Sequence, residues 1–274
     1  MLLVPLVVLG FLMPVALPAT ETTAANTEAS SPWVVLQPGL ELGGFNTKTK
    51  AADPEGDLLV VRVDLGLLGL KFLAVGDDSD TPGRNAKQWC GDFGLLVAIN
   101  AGMYQADHRT HVGFCQIDGR LANRSANDYL SAVAWDPFDP SDHQFRIFDL
   151  DEVPLAEVAK RYGTVVQNLR LIKRERENRW QPSGDRWAEA ALGEDDRGRV
   201  LLIYCATPRS MYELNEILLE LPLGLVAAQH LEGRNQARMW VTGKAFAPDS
   251  VWAKRLDRGP VLPNVIGVFE LRDD

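Results

Sequence analysis

Cysteine is scarce in this chain, and basic side chains are outnumbered. Of 274 residues only 3 are cysteine, and 28 Lys and Arg stand against 37 Asp and Glu, which gives a formal net charge of −9. Proteins that bind nucleic acid neutralise phosphates with clustered Lys and Arg. The one basic cluster, residues 170–179, is interleaved with glutamates, as in a solvated, self-paired surface. These absences argue against a role in binding nucleic acid.

The few cysteines and histidines do not form a recognisable metal or redox motif. Three cysteines allow one disulfide in three alternative pairings, and at least one is expected to be a buried apolar residue: Cys90, Cys115 and Cys205. The D-H-x-x-H run at 107–111 lacks the remainder of a ligand set. We therefore predict a polar loop there and no cofactor, and the sequence leaves a requirement for a divalent metal open.

Long apolar runs are absent after the first nineteen residues. Residues 1–19 carry no charged side chain and precede a run of small polar residues, which predicts a secretory signal cleaved after Ala19, or as late as residue 25. The alternative is an uncleaved membrane anchor, because the leader lacks Lys and Arg. Residues 20–32 are expected to form a disordered lead to one domain at 33–274, since no internal linker interrupts it. We therefore expect a periplasmic or secreted protein that is not stably inserted in a membrane once the leader is removed.

Short β-rich runs dominate the rest of the sequence. Ten segments are rich in branched or aromatic residues and bounded by turn formers: 57–65, 70–75, 95–99, 111–117, 130–135, 145–150, 164–169, 199–205, 225–231 and 237–241. Helix signals are fewer, with Pro154 opening one segment and Ser210 with Glu213 forming a capping-box pattern before another. This order predicts an α+β fold, with a large mostly antiparallel or mixed sheet and a few covering helices.

Two predicted strands end directly in polar residues followed by glycine. One runs into Asn100 and Gly102, and the other into Glu232 and Gly233. A glycine after such a side chain allows close approach of a ligand to the backbone. An ordinary tight turn is the alternative explanation.

Seven collinear stretches together resemble the phosphodiester glycosidase family, in particular its bacterial exported branch. These stretches lie at 60–65, 95–104, 113–123, 162–172, 187–204, 213–241 and 263–268. The family's N-G-G-F-F-like signature corresponds to Asn100–Tyr104, and its L-D-G-G-like signature to Leu231–Arg234. Glu232 preserves a carboxylate, whereas Arg234 replaces a glycine. Where many members have the arginine of P-R-T-A-I-G, this chain has Glu189.

The resemblance implies an exported hydrolase that cleaves a sugar-1-phosphodiester bond in an envelope or extracellular glycan. Glu232 would activate water or act as nucleophile, Asn100 would orient water or substrate hydroxyls, and His230 would transfer a proton. The remaining candidates would contact substrate, with an arginine binding its phosphate: Gly102, Tyr104, Gln167, Arg170, Arg186 and Gly233. The alternatives are a carbohydrate- or sugar-phosphate-binding envelope protein that has lost catalysis on this scaffold, and an envelope interaction protein without a sugar ligand.

Overall fold

The computed structural model describes residues 31–75, 83–243, 245–246, 250–256 and 259–271. The predicted signal and most of the predicted lead lie outside these residues. Eighteen strands are assigned in the described ranges: β1 (Trp33–Gln37), β2 (Leu40–Asn46), β3 (Ala51–Ala52), β4 (Leu58–Val63), β5 (Leu68–Ala74), β6 (Val97–Asn100), β7 (Cys115–Ile117), β8 (Arg120–Asn123), β9 (Ser131–Pro137), β10 (Phe145–Asp149), β11 (Tyr162–Asn168), β12 (Arg170–Lys173), β13 (Glu177–Asn178), β14 (Trp187–Asp195), β15 (Val200–Arg209), β16 (Leu225–Gly233), β17 (Met239–Val241) and β18 (Asn264–Glu270). The helices there are α1 (Ala86–Phe93), α2 (Leu155–Arg161), α3 (Met211–Glu220) and α4 (Val251–Leu256).

The strands form three antiparallel sheets. The largest has nine strands in the order β1-β2-β4-β15-β14-β16-β12-β13, with β3 added beside β2. A second sheet has the order β10-β9-β11-β7-β8, and a third the order β17-β6-β18-β5. The predicted α+β class is confirmed, and every predicted strand segment overlaps an observed strand. The single large sheet of the prediction is divided into three.

All three sheets contribute to one central apolar core. Val61 of the large sheet, Val133 of the second and Ile99 of the third belong to the same buried cluster. Helix α3 covers the other face of the large sheet, where Leu214 and Leu218 pack in a second cluster. This arrangement places the ends of β6 and β16, the two strands with polar termini, on elements that are fixed by core packing.

Helix α3 begins with the predicted capping box. The Ser210 hydroxyl accepts the Glu213 N–H at 3.2 Å, and the Glu213 carboxylate accepts the Ser210 N–H at 3.1 Å. Ser210→Ala is therefore expected to lower the free energy of unfolding by about 1 kcal/mol. Urea denaturation measures the loss. Ser125→Ala, in an exposed loop, is the control and should leave stability unchanged; equal effects of both changes would contradict the capping role.

The three cysteines are free and buried. Burial raises the pKa of each thiol to about 12, so these side chains serve as apolar core residues. Among the described residues, no helix is long and apolar enough to cross a membrane.

Candidate active site

The end of β6 enters a crowded polar turn at Gly102. Its φ of +135° favours glycine, and a Cβ there would lie 2.7 Å from both Asn168 Nδ2 and His111 Cε1. His111 Nε2 donates to the carbonyl oxygen of Gln167 at 2.9 Å. Burial lowers the pKa of His111, which keeps this ring neutral. Gly102 is thus required for packing between the turn and β11.

Gly102→Ala is expected to lower the free energy of unfolding by about 1–3 kcal/mol, because the added methyl overpacks a buried contact. Gly91→Ala is a matched control, since Gly91 lies inside α1 and a Cβ added there would have no atom within 4 Å. There the alanine should stabilise by up to about 1 kcal/mol. Urea denaturation of both variants measures the difference, and a stable Gly102→Ala protein would contradict the packing role.

A bulge in β16 sets the positions of the other polar side chains. On the neighbouring strand β14, Ala191 faces His230 and Ala190 faces Glu232, so Leu231 is an extra residue. Bulges bend a strand and redirect its side chains. Leu231 remains fully buried in the core, whereas Glu232 is only partly buried. The bulge therefore brings a histidine and a carboxylate together at the sheet end.

His230 is held by a buried carboxylate that the sequence interpretation did not assign to the site. Glu189 Oε1 pairs with His230 Nδ1, and both residues are at most 3% exposed. The other oxygen of Glu189 accepts a hydrogen bond from Trp187 Nε1 at 2.7 Å. With Nδ1 engaged, the only remaining polar atom of the imidazole is Nε2. A carboxylate that fixes one histidine nitrogen in this way orients the other for proton transfer or anion binding.

The charges at this site shift the pKa values of His230 and Glu232 upward. Burial would lower the pKa of His230, but the charge of Glu189, the hydrogen bond that Nδ1–H donates to it and the charge of Glu232 outweigh burial, so that pKa is raised. Burial also raises the pKa of Glu232, and the charge of Glu189 adds to the rise, while the Gly233 N–H and His230 oppose it. The Gly233 N–H donates to Glu232 Oε1 at 3.1 Å. Raised pKa values of two adjacent groups are typical of acid–base sites.

Two tyrosines lie close enough to Glu232 to respond to its charge. Burial and the charge of Glu232 raise the pKa of Tyr104. Burial, the charge of Asp128 and that of Glu232 raise the pKa of Tyr129. The charge of Glu232 therefore acts on residues of both the turn after β6 and the segment before β9. The sequence interpretation included Tyr104 and missed Tyr129.

The Trp187 indole packs directly against Gly233. A Cβ on Gly233 would lie 2.5 Å from Trp187 Cδ1 and 2.6 Å from its Nε1. The glycine therefore accommodates the indole that binds Glu189. Arg234 has φ +61° and its guanidinium lies 5.6 Å from the Trp187 ring centroid. Within the described structure Arg234 makes no ion pair with Glu232, so the carboxylate is not neutralised by its neighbour.

The two arginines that were predicted to contact substrate are paired with carboxylates. Arg170 contacts Asp149 at 3.1 Å and Asp151 at 2.7 Å, and Arg186 pairs with Glu213 at the start of α3. Both guanidiniums therefore neutralise acidic side chains of the fold.

Asn100 and Gln167 both make hydrogen bonds to the backbone. Asn100 Oδ1 accepts the Arg238 N–H at 3.0 Å, while its buried Nδ2 has no hydrogen-bond partner among the described residues. The Gln167 amide is saturated by four backbone bonds, two accepted from Phe114 and Asn127 and two donated to Asn127 and Tyr129. Gln167 thus positions the segment that carries Tyr129, and Asn100 retains one free donor.

The 107–111 run forms a polar turn. The Asp107 carboxylate accepts hydrogen bonds from the backbone of Arg109 and Thr110 at 3.0 Å. Among the described residues no group of three or more His, Cys, Asp or Glu side chains could hold a metal ion.

Three solved structures share the fold. The zebrafish N-acetylglucosamine-1-phosphodiester α-N-acetylglucosaminidase catalytic domain, auto-inhibited by its pro-peptide, has a TM-score of 0.55 and 15% identity, over 78% of this chain and 77% of that one. A hypothetical protein from Synechocystis has a TM-score of 0.56 and 13% identity, over 87% of this chain and 61% of that one. A protein of Burkholderia pseudomallei K96243 named as exported has a TM-score of 0.50 and 12% identity, over 77% and 73%.

A search of curated proteins gives no match. The family model for phosphodiester glycosidases matches residues 93–269, which is more than half of the chain and includes both Asn100 and Glu232. The chain therefore belongs to the phosphodiester glycosidase family.

Proposed function

We propose that this protein is an exported hydrolase that cleaves the glycosidic bond of a sugar-1-phosphodiester. The observation that carries the proposal is the Trp187–Glu189–His230 arrangement beside the partly buried carboxyl of Glu232. Family membership supports the reaction class. Export is supported by the uncharged apolar residues 1–19.

The proposed chemistry needs one carboxylate and one cation. Cleavage passes through an oxocarbenium-like state, and Glu232 would attack the anomeric carbon or activate the attacking water. The departing phosphate is already a stable anion, so it requires charge stabilisation more than protonation. Asn100 would use its unpartnered Nδ2 to orient water or a sugar hydroxyl.

His230 is our candidate for the cation. The family resemblance implies an arginine at the position where this chain has Glu189. Arg170 and Arg186 do not replace it, because both are paired with carboxylates of the fold. Glu189 favours the protonated form of His230, and Nε2–H would then donate to a phosphate oxygen. A carboxylate in the arginine's position would in this way still supply a positive charge, through its histidine partner.

The second candidate function is a sugar-phosphate-binding protein that has lost catalysis, and Glu189 in place of the family's arginine is the observation that favours it. Hydrolysis of a panel of sugar-1-phosphodiesters by the purified protein, Glu232→Gln and Asn100→Ala separates the two. Turnover that both substitutions abolish in folded protein supports the hydrolase. Binding of sugar phosphates without turnover by the unaltered protein supports the binding protein.

A further inference from the structure

A cleft opens on segments that adjoin the candidate active site. Segments 128–130, 169–170 and 179–181 line it, and its volume is about 340 Å³. Small-molecule sites occupy roughly 300–1,000 Å³, so this cleft has room for a short segment of a ligand. Asn100, His230 and Glu232 do not line it.

Hydrogen bonds anchor two aromatic residues of this cleft, one through its side chain and the other through its backbone. Trp180 Nε1 donates to the Arg170 carbonyl oxygen at 2.7 Å, which fixes the indole. The Tyr129 carbonyl accepts from Gln167 Nε2 at 2.9 Å, and its N–H donates to Asn127 Oδ1 at 3.0 Å. A surface that is ordered before a ligand arrives loses less conformational entropy on binding.

The charges around the cleft are balanced. Arg170 pairs with Asp149 and Asp151, and Arg179 at the rim pairs with Glu177. Charge balance disfavours a phosphate as the occupant and favours a neutral one. Exposed Asp128 and Gln181 complete a hydrogen-bonding rim around the aromatic and leucine side chains.

The lining of the cleft adjoins the strand that carries Glu232. Leu169, part of its lining, accepts the His230 N–H at 2.8 Å through its carbonyl oxygen. Tyr129, also in the lining, lies near enough to Glu232 for that charge to affect it. A molecule whose bond is cleaved at Glu232 would therefore extend its next unit into this cleft.

We infer that the cleft between Tyr129 and Trp180 binds a neutral sugar ring of the substrate's glycan, next to the bond that is cleaved. A pyranose ring has an apolar C–H face, which suits an aromatic side chain, and a hydroxyl edge, which suits the polar rim. The inference rests on the proposed function for the orientation of the glycan, and on the cleft alone for its chemistry.

Calorimetric titration with chitotetraose, cellotetraose and maltotetraose tests the inference. At least one of these neutral oligosaccharides should bind the unaltered protein, and Trp180→Ala should weaken that binding by about tenfold or more. The double change Arg179→Ala with Gln181→Ala, at exposed rim positions, should weaken it while leaving the fold intact. Trp33→Ala is the matched control. Trp33 lies on β1 and Trp180 follows β13, and these two strands are at opposite edges of the same sheet.

Two results would overturn the inference. One is that none of the three oligosaccharides binds. This result overturns the inference whether or not octyl phosphate binds at Trp180. The other is binding that neither the Trp180→Ala protein nor the rim variant weakens. Because the titration needs no turnover, oligosaccharide binding in a protein that hydrolyses no phosphodiester would refute the proposed function and the orientation of the glycan, and would leave the neutral-sugar site itself standing.

Discussion

Glu232→Gln is expected to lower kcat on a glycosyl phosphodiester by about 10³-fold or more, while the protein stays folded. The amide keeps the size of the side chain and loses the charge that would stabilise or attack the oxocarbenium-like centre. A steady-state assay that monitors release of the phosphate monoester measures the loss.

Glu220→Gln is the control for this change, since Glu220 is an exposed carboxylate at the end of α3 that pairs with Lys50. It should retain full activity. A Glu232→Gln protein that turns over substrate at the unaltered rate would remove Glu232 from the mechanism.

Glu189→Gln is expected to move the whole pH profile of kcat/KM to lower pH. We predict a profile that rises as Glu232 loses its proton and falls as His230 loses its proton. The charge of Glu189 raises the pKa of both groups, so its removal lowers both. Cys205, on the adjacent strand and with a pKa of about 12, does not titrate in this range.

A stability measurement checks the same pair without substrate. His230 has a raised pKa in the folded protein, so its contribution to stability is fully present below the unfolded value of about 6.5 and is lost as pH rises through the folded value. Breaking the buried pair by Glu189→Gln should cost about 3–5 kcal/mol and flatten this pH dependence.

Glu194→Gln is a matched control for Glu189→Gln. Glu194 lies on the same strand, is equally buried and pairs with Arg146 and Arg174. Its replacement should lower stability without moving either limb of the activity profile. A Glu189→Gln profile that coincides with that of the unaltered protein would show that Glu189 serves only packing.

The strands were predictable where apolar residues and turn formers alternate clearly, as at β4, β9 and β15. The hairpin between β7 and β8 was also predictable, because the sequence Asp-Gly favours the positive φ angles that such a turn requires. Asp118 and Gly119 both adopt a positive φ in the structure. Strand β14 was not identified as a strand, since its run of alanines has low strand propensity. Its pairing with β15 on one side and β16 on the other holds it in the sheet.

The two ends of the candidate site were predictable, but their connection was not. Asn100 and Glu232 stand out because each follows an apolar strand and precedes glycine. Glu189 carried a signal too, as the residue at the position of the family's arginine, but its pairing with His230 depends on the register of β14 against the bulged β16. Register and bulges arise from long-range packing, and local sequence does not encode them. The influence of the Glu232 charge on Tyr129, which lies just before β9, depends on long-range packing in the same way.

The position of bond cleavage tests the central claim most directly. Hydrolysis of a sugar-1-phosphodiester in ¹⁸O-labelled water, followed by mass spectrometry of the released phosphate monoester, distinguishes the two bonds that water can break. A glycosidase centred on Glu232 cleaves the bond between the anomeric carbon and oxygen, so we predict an unlabelled phosphate and ¹⁸O on the sugar. Incorporation of ¹⁸O into the phosphate would show attack at phosphorus and would contradict the account.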